Sequence, residues 1–214
     1  MPDHYKQTFE IWNKIAPFYQ EKFMDLDIYN HTYDAFCQAI EVRNAKMLDA
    51  GCGPGNITKY LLTQRPDFNI TGTDIAPNMI DLARKNNPGA EFTVLDTRQI
   101  SNFTAQFDGI ICGFCLPYLE ENDVRKFISD AFRLLTENGV FYLSFVEGDS
   151  SNSGFRESSS GDLVYFHYYT LENIRLKLES TGFKNLRLFR VNYKISCDST
   201  EIHTILMAGK AILD

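Results

Sequence analysis

The chain has 214 residues, 44% of them hydrophobic and 23% charged, with a formal charge of −7 at pH 7; that is enough for one domain that buries a full core without disulfide or metal staples. Lys and Arg are scattered on an acidic chain, which disfavours a nucleic-acid partner. No run of about 18 apolar residues and no basic, then apolar, leader in "MPDHYKQTFE" point to a cytoplasmic protein with no membrane partner.

The first elements read as a helical cap over residues 1–45. "HYKQTFEIWNKIAPFYQEKF" is helical with a break near Pro17, and a second helix lies around 30–43. After residue 45 short apolar runs alternate with amphipathic stretches, the pattern of an α/β sheet with crossover helices. Strands are expected at about 46–50, 69–73, 91–95, 107–112 and 139–146. Between them "GNITKYLLTQR", "PNMIDLARKNN" and "ENDVRKFISDAFRLLTENG" carry helical periodicity, with Pro77 near a helix start and Gly139 near a stop. The Ser- and Gly-rich "EGDSSNSGFRESSSG", within 148–169, reads as a mobile loop at a strand end, where it can serve as a lid. Next comes the helix "TLENIRLKLESTG", with Thr170 as N-cap and Gly182 at its end. The alternating runs "FKNLRLFRVNYKIS" and "TEIHTILMAGKAI", joined by "CDST", must then pair antiparallel. The expectation is a single Rossmann-like domain: a seven-stranded, mostly parallel sheet ending in an antiparallel hairpin, helices on both faces, and cap, cofactor-binding half (46–147), loop and C-terminal unit (170–214) in that order.

The glycine turn in "KMLDAGCGPGNITKYLL" raises the question of a ligand. Gly51, Gly53 and Gly55 do not fit the dinucleotide fingerprint G-x-G-x-x-G, because Asn56 stands where its third glycine belongs. A carboxylate beside the turn, Asp49, would repel a pyrophosphate and suits a cofactor with cationic groups and no phosphate. A second acid, Asp74, follows 25 residues later at the end of a strand, placed to accept from ribose hydroxyls. "EFTVLDTRQI" supplies a third, Asp96, followed by Thr97.

"MLDAGCGPGNITKYL" resembles the first motif of class I S-adenosylmethionine-dependent methyltransferases, hydrophobic-x-D/E-x-G-x-G-x-G. "DIAPNMIDLAR" is similar to the family's D-x-S-x-x-M-[IL]-x-x-A, with Ala76 where serine is frequent, and "YYTLENIRLKLESTGF" to a C-terminal segment of many small-molecule members. "IWNKIAPFYQEKF" is loosely similar to the family's helix that closes over the cofactor. The resemblance implies S-adenosylmethionine as cofactor. It implies ribose contact for Asp74, adenine contact for Asp96 and Thr97, packing on adenine or ribose by Ile75 and Met79, proximity to the methionyl part for Cys112 and Gly113, and cofactor binding by Asp49, Gly51, Cys52, Gly53 and Gly55 of the first motif. Phe114 to Tyr118 would wall the acceptor pocket. Their sequence, C-L-P-Y at 115–118, lacks the first polar residue and one proline of the [DNS]-P-P-[YFW] found in methyltransferases of base amines.

Methyl transfer is an in-line displacement that needs alignment and, for some acceptors, a base. Candidate bases are His167 and then Tyr168, His31 and His4, with Tyr19 reaching cofactor or acceptor from the cap. The implied partner is a small-molecule acceptor, and the chain is expected to be a monomer or homodimer. A non-catalytic S-adenosylmethionine binder and an NAD-dependent oxidoreductase are the alternatives. The five cysteines, at 37, 52, 112, 115 and 197, have no framework spacing and suit a reducing compartment. "CGFC" at 112–115 reads as part of a strand and its following loop, and no metal site is expected.

Overall fold

The computed structural model describes residues 4–157, 161–195 and 199–210, and of His4 the backbone alone. Cys197 and Asp198, the first half of the "CDST" turn, and His4 as a candidate base therefore lie outside the described residues.

Two helices come first, α1 (His4–Phe23) and α2 (Asn30–Ala39). There follow β1 (Lys46–Ala50), α3 (Asn56–Gln64), β2 (Asn69–Asp74), α4 (Pro77–Asn86), β3 (Glu91–Val94), β4 (Phe107–Cys112), α5 (Glu121–Leu134) and β5 (Leu135–Val146). A short hairpin, β6 (Gly154–Glu157) and β7 (Leu163–Phe166), precedes α6 (Leu171–Thr181), β8 (Lys184–Lys194) and β9 (Thr200–Gly209). The main sheet has the order β3-β2-β1-β4-β5-β9-β8. All neighbours pair parallel except β5 with β9 and β9 with β8. The expected seven-stranded sheet with a closing antiparallel hairpin is the fold observed.

Period-two alternation along the strands divides the core. Leu48, Ile110, Phe141, Leu143 and Leu206 face the layer of α5 and α6. Met47, Ile70, Ile111, Tyr142 and Met207 face α2 and α3. Asp49 alternates with Leu48 and so shares the face of Met47, under α3. That parity decides what its carboxylate can touch. The strand order reverses between β1 and β4, the switch point outside which open α/β sheets hold their ligands.

Several local expectations need correction. α1 runs unbroken through Pro17. Proline cannot donate to the carbonyl four residues back, but that carbonyl, on Asn13, accepts from Asn78 Nδ2 at 2.7 Å, and Asn13 Oδ1 accepts from Asn78 N at 2.9 Å. The bonds to α4 satisfy the group that the proline leaves open. α2 stops at Ala39, short of 43, where Arg65 donates to the carbonyls of Cys37, Ile40 and Val42. α5 ends at Leu134, and Gly139 lies within β5 at a register shift, since Phe107 pairs with Leu135 but Gly109 with Val140. Part of the 148–169 segment is not loop: β6 and β7 pair antiparallel, Gly154 opposite Phe166. The α6 caps are as expected, with Thr170 Oγ1 accepting from Asn173 N and Gly182 at φ +115°. Among the described residues no helix is long and apolar enough to cross a membrane.

Candidate active site

The glycine turn folds inward. Gly51 N and Cys52 N both donate to Thr73 O at 2.8 Å, Gly55 N donates to Cys52 O at 3.0 Å, and Gly53 N donates to Asp74 Oδ2 at 2.9 Å. Gly51, Gly53 and Gly55 take φ of +76°, +53° and +82°, the left-handed region that glycine enters without steric cost. A phosphate-binding turn needs such N–H groups aimed at the ligand. Here they are engaged by a carbonyl or by a carboxylate, so the turn offers shape and negative potential instead of donors.

Two carboxylates, Asp49 buried and Asp74 half-buried, supply that potential. Asp49 is fully buried; its Oδ2 accepts from Thr58 Oγ1 on α3 at 2.7 Å, while Oδ1 has no hydrogen-bond partner. Burial, reinforced by the charge of Asp74 and partly offset by Thr58, pushes its pKa up from 3.8 to about 7. Asp74 accepts from Gly53 N and, through Oδ1, from Ala76 N at 2.9 Å. Burial outweighs those bonds and raises its pKa to about 6. Two acids that resist ionisation when empty form a site that a cationic ligand would improve.

Two cavities adjoin at Trp12 and Tyr19 of α1. The first is lined by Gly51, Gly53, Asp74, Ile75, Met79, Asp96, Thr97 and Gly113, and closed by Tyr5, Trp12 and Tyr19 of α1. Asp96 is gripped by Arg98, whose Nη2 lies 2.6 Å from Oδ2 and whose guanidinium sits 3.7 Å from the centre of the Tyr5 ring. Tyr5 in turn donates to Asp123 on α5. Trp12 stands edge-on to both Tyr19, 5.6 Å away, and Tyr118, 5.1 Å away, which ties the cap to the loop after β4.

The second cavity shares Trp12, Tyr19, Gly51, Gly53, Gly113, Phe114 and Tyr118 with the first and continues to the far side of α1. Its wall is aromatic, with Tyr29, Tyr33, Phe166 and Tyr193. Its polar side chains include Lys22, Asn56, Arg156, Glu201 and His203. His203 opens the buried run of β9 and is 7% exposed. Its ring lies between Tyr193 and Tyr29, nearly parallel to both, at 4.7 and 6.0 Å between centres. Nδ1 is 2.6 Å from Tyr29 Oη, and Nε2 is 3.8 Å from Glu201 Oε2. The other oxygen of Glu201 accepts from Arg156 at 2.9 Å and from Tyr168 Oη at 3.4 Å.

Most of the residues expected at a site converge here. Gly51, Gly53, Asp74, Ile75, Met79, Asp96, Thr97, Gly113 and Tyr19 line the first cavity, and Cys52 the second. Others stand behind it. Asp49 lies beneath the turn because of its strand parity, Gly55 caps α3, and Cys112 is fully buried in the α5 layer. His167 lines neither cavity: its N–H donates to Pro117 O and its ring contacts Tyr165 and Tyr169. Tyr168 likewise sits one shell out, against Glu201. His31 packs on Phe189, away from both cavities. Cys115 Sγ bonds Thr97 Oγ1 at 3.4 Å. The reading of histidines from sequence passed over His203, along with Tyr29, Glu201 and Arg156. The available signal was the polar opening, "TEIH", of an otherwise apolar strand.

Comparison with known proteins agrees with this geometry. Residues 47–139 match a family described as a methyltransferase domain. The malonyl-[acyl-carrier protein] O-methyltransferase of Acetivibrio thermocellus is 35% identical over 46% of this chain and 34% of its own length. The demethylmenaquinone methyltransferase of Thermotoga maritima is 29% identical over 47% of this chain and 43% of its own. The chain thus spans about a third to a half of the length of these relatives. The crystal structure of magnesium protoporphyrin IX methyltransferase from Synechocystis PCC 6803 with bound S-adenosylmethionine superposes with a TM-score of 0.73 at 17% identity, covering 99% of each chain. With the glycine turn, the acids at the ends of β1 and β2, and this sheet order in one place, residues 47–139 carry a methyltransferase domain, and the fold is that of class I S-adenosylmethionine-dependent methyltransferases.

Proposed function

We propose that this chain transfers a methyl group from S-adenosylmethionine (SAM) to a small-molecule acceptor held in the second cavity. The observation that carries the reading is the inward-turned glycine loop beside two carboxylates, Asp49 buried beneath it and Asp74 half-buried at the cavity wall. It offers little to a pyrophosphate and suits a ligand bearing an ammonium and a sulfonium. The partnerless Oδ1 of Asp49 fits such a cation nearby, acting through its field since the side chain lines neither cavity. That argues against the dinucleotide alternative.

SAM supplies a methyl carbon made electrophilic by its sulfonium; the chain positions it and excludes water. Asp74 retains lone pairs beyond those used by Gly53 N and Ala76 N and would accept from the ribose hydroxyls. Ile75 and Met79 would flank the adenine, and Asp96 and Thr97 would meet its edge, with Arg98 holding the Asp96 carboxylate in place. Gly51, Cys52, Gly53 and Gly113 border the junction of the cavities, where the methionyl part would lie. Gly55 turns the chain into α3, and Cys112 backs Gly113 from the core. Tyr19, whose phenol burial and the Asp74 charge keep protonated, covers Gly53 at the mouth shared by the two cavities. Tyr168 would hold Glu201. The names of the relatives span unlike acceptors and select none. A cytoplasmic monomer or homodimer is part of this reading.

Calorimetric titration with SAM, S-adenosylhomocysteine and NAD tests it. Binding of the first two and not the third is the expected result. Binding of NAD alone would overturn the reading and leave the carboxylates structural.

A further inference from the structure

Resting on the proposed methyl transfer, the geometry points to a phenolic hydroxyl on a planar aromatic acceptor, whose proton passes through Tyr29 to His203. The first step of the argument is the tautomer of His203. A carboxylate oxygen 3.8 Å from Nε2 favours a hydrogen on that nitrogen and disfavours a lone pair there. Nδ1 is then the acceptor, and Tyr29 Oη, 2.6 Å away, donates to it. Tyr29 is itself kept protonated, by burial first and then by the neighbouring Tyr193 and Tyr19.

Tyr29 lines the second cavity with its own hydrogen committed to His203, which leaves lone pairs on its oxygen for an incoming hydroxyl. The chain Tyr29, His203, Glu201 orders a hydroxyl, an imidazole and a carboxylate as acyl-transfer triads do, but here it removes a proton from a bound acceptor. As the acceptor oxygen bonds to the methyl carbon, the carbon–sulfur bond breaks and its electron pair stays on sulfur. The acceptor's hydrogen moves to Tyr29 Oη while the hydrogen of Tyr29 moves to Nδ1. The imidazolium so formed faces Glu201, whose remaining oxygen is held by Arg156 and Tyr168. Solvent then takes the proton, and the set returns to its starting state.

The acceptor class follows from what such a relay is for. A carboxylic acid is ionised at neutral pH and needs no base, whereas a phenol with a pKa of about 10 does. The ring walls of Tyr29, Phe114 and Tyr193 suit a flat aromatic body. Within the chamber Arg156 pairs with Glu201, and Lys22, an exposed residue, is the other lining group that carries a full charge. The Tyr33 phenol, buried and protonated, also faces this space.

The test uses the full chain as wild type, Tyr29→Phe, His203→Gln and Glu201→Gln. Calorimetry gives the Kd for SAM, and release of S-adenosylhomocysteine is followed with catechol, 1-naphthol, 4-nitrophenol, benzoate and malonate. Catechol or 1-naphthol should be methylated. His203→Gln and Tyr29→Phe should lower kcat about 10²-fold or more and flatten the rise of kcat with pH, with KM little changed and the Kd for SAM within about 2-fold of wild type. Glu201→Gln, which keeps the imidazole, should lower kcat less than His203→Gln does. The deficit of His203→Gln should shrink with 4-nitrophenol, which loses its proton to solvent far more readily. Methylation of benzoate or malonate but no phenol would overturn the inference. So would SAM binding with no phenol methylated, or a His203→Gln enzyme at the wild-type rate on catechol or 1-naphthol. Failure of the wild type to bind SAM would sink the underlying reading as well.

Discussion

Replacing Asp49 by Asn isolates the charge that the glycine turn sits on. Asn retains an oxygen to accept from Thr58 Oγ1 and nearly the same volume, so the change removes chiefly the ionisable group. In the folded protein burial raises the Asp49 pKa from 3.8 to about 7. Below about pH 4 the acid is neutral in both states and costs nothing. Between pH 4 and 7 the unfolded chain gives up the proton that the folded chain keeps, so wild-type stability falls as pH rises and the loss levels off above 7. The interval from 3.8 to about 7, at about 1.4 kcal/mol per pH unit, sets a ceiling of about 4 kcal/mol. Half of that, about 2 kcal/mol, is a fair expectation once the buried site relaxes, and for a domain of this size it corresponds to a Tm about 4–8 °C higher in Asp49→Asn at pH 8. The difference between variant and wild type should be small near pH 4 and grow to its plateau by pH 7. Differential scanning calorimetry across that range measures it. The order should reverse in saturating SAM, because the ligand's ammonium and sulfonium favour the ionised acid that Asn lacks. A difference independent of pH, or equal SAM affinity in both proteins, would refute the idea that the turn is tuned for a cation.

Three further outcomes follow from the same geometry. Asp74→Ala removes the oxygens that receive Gly53 N and Ala76 N, and calorimetry should find SAM binding weaker by about 1–3 kcal/mol; unchanged affinity would mean that the ribose is held elsewhere. Gly55→Ala puts a Cβ at φ +82°, 2.4 Å from Asn87 Nδ2 and 3.3 Å from the backbone Cα of Ala83, so thermal unfolding should show a loss of about 1–2 kcal/mol from backbone strain alone, and more from the clash. His167→Ala should leave both the Kd for SAM and kcat near wild type, because the ring faces Tyr165 and Tyr169 outside the two cavities; a large fall in kcat alone would return His167 to the reaction.

The cofactor half of this protein was legible because its signals are local. A hydrophobic strand, an acid, spaced glycines and a helix occupy adjacent residues, and the acids ending β1 and β2 and following β3 recur at the same structural point. Other features depended on distant partners that sequence pattern does not reveal. Pro17 is tolerated in α1 because Asn78, on another helix, takes the carbonyl it leaves open. The 148–169 segment reads as loop because Ser and Gly carry weak strand preference, yet β6 and β7 pair with each other and bring Arg156 to Glu201. Asp49 was expected at the ligand because it borders the glycines. Strand parity instead turns its side chain toward Thr58 on α3.

The miss at His203 has a topological cause. In a parallel sheet the ligand lies beyond the C-terminal ends of the strands, so a search for site residues looks at the last positions of each strand. That rule holds for β1, β2 and β4, and on β5 it reaches Val146, which lines the second cavity. β9 runs the other way. His203 pairs with Val146 and Thr204 with Phe145, so it is the beginning of β9 that reaches the ligand edge. On β8, parallel to the central strands, the end does so: Tyr193 pairs with Glu201 and stacks on His203. The closing hairpin thus brings to the acceptor side one residue set from a strand's end and another from a strand's start. Because β8 and β9 lie next to β5 and far from β2 and β3, where Asp74 and the proposed adenine contacts Asp96 and Thr97 lie, changes at Glu201 and His203 should, under the proposed reading, alter the acceptor chemistry without disturbing cofactor binding. A SAM Kd that stays constant across the Tyr29, Glu201 and His203 variants while kcat changes is the measurable form of that separation.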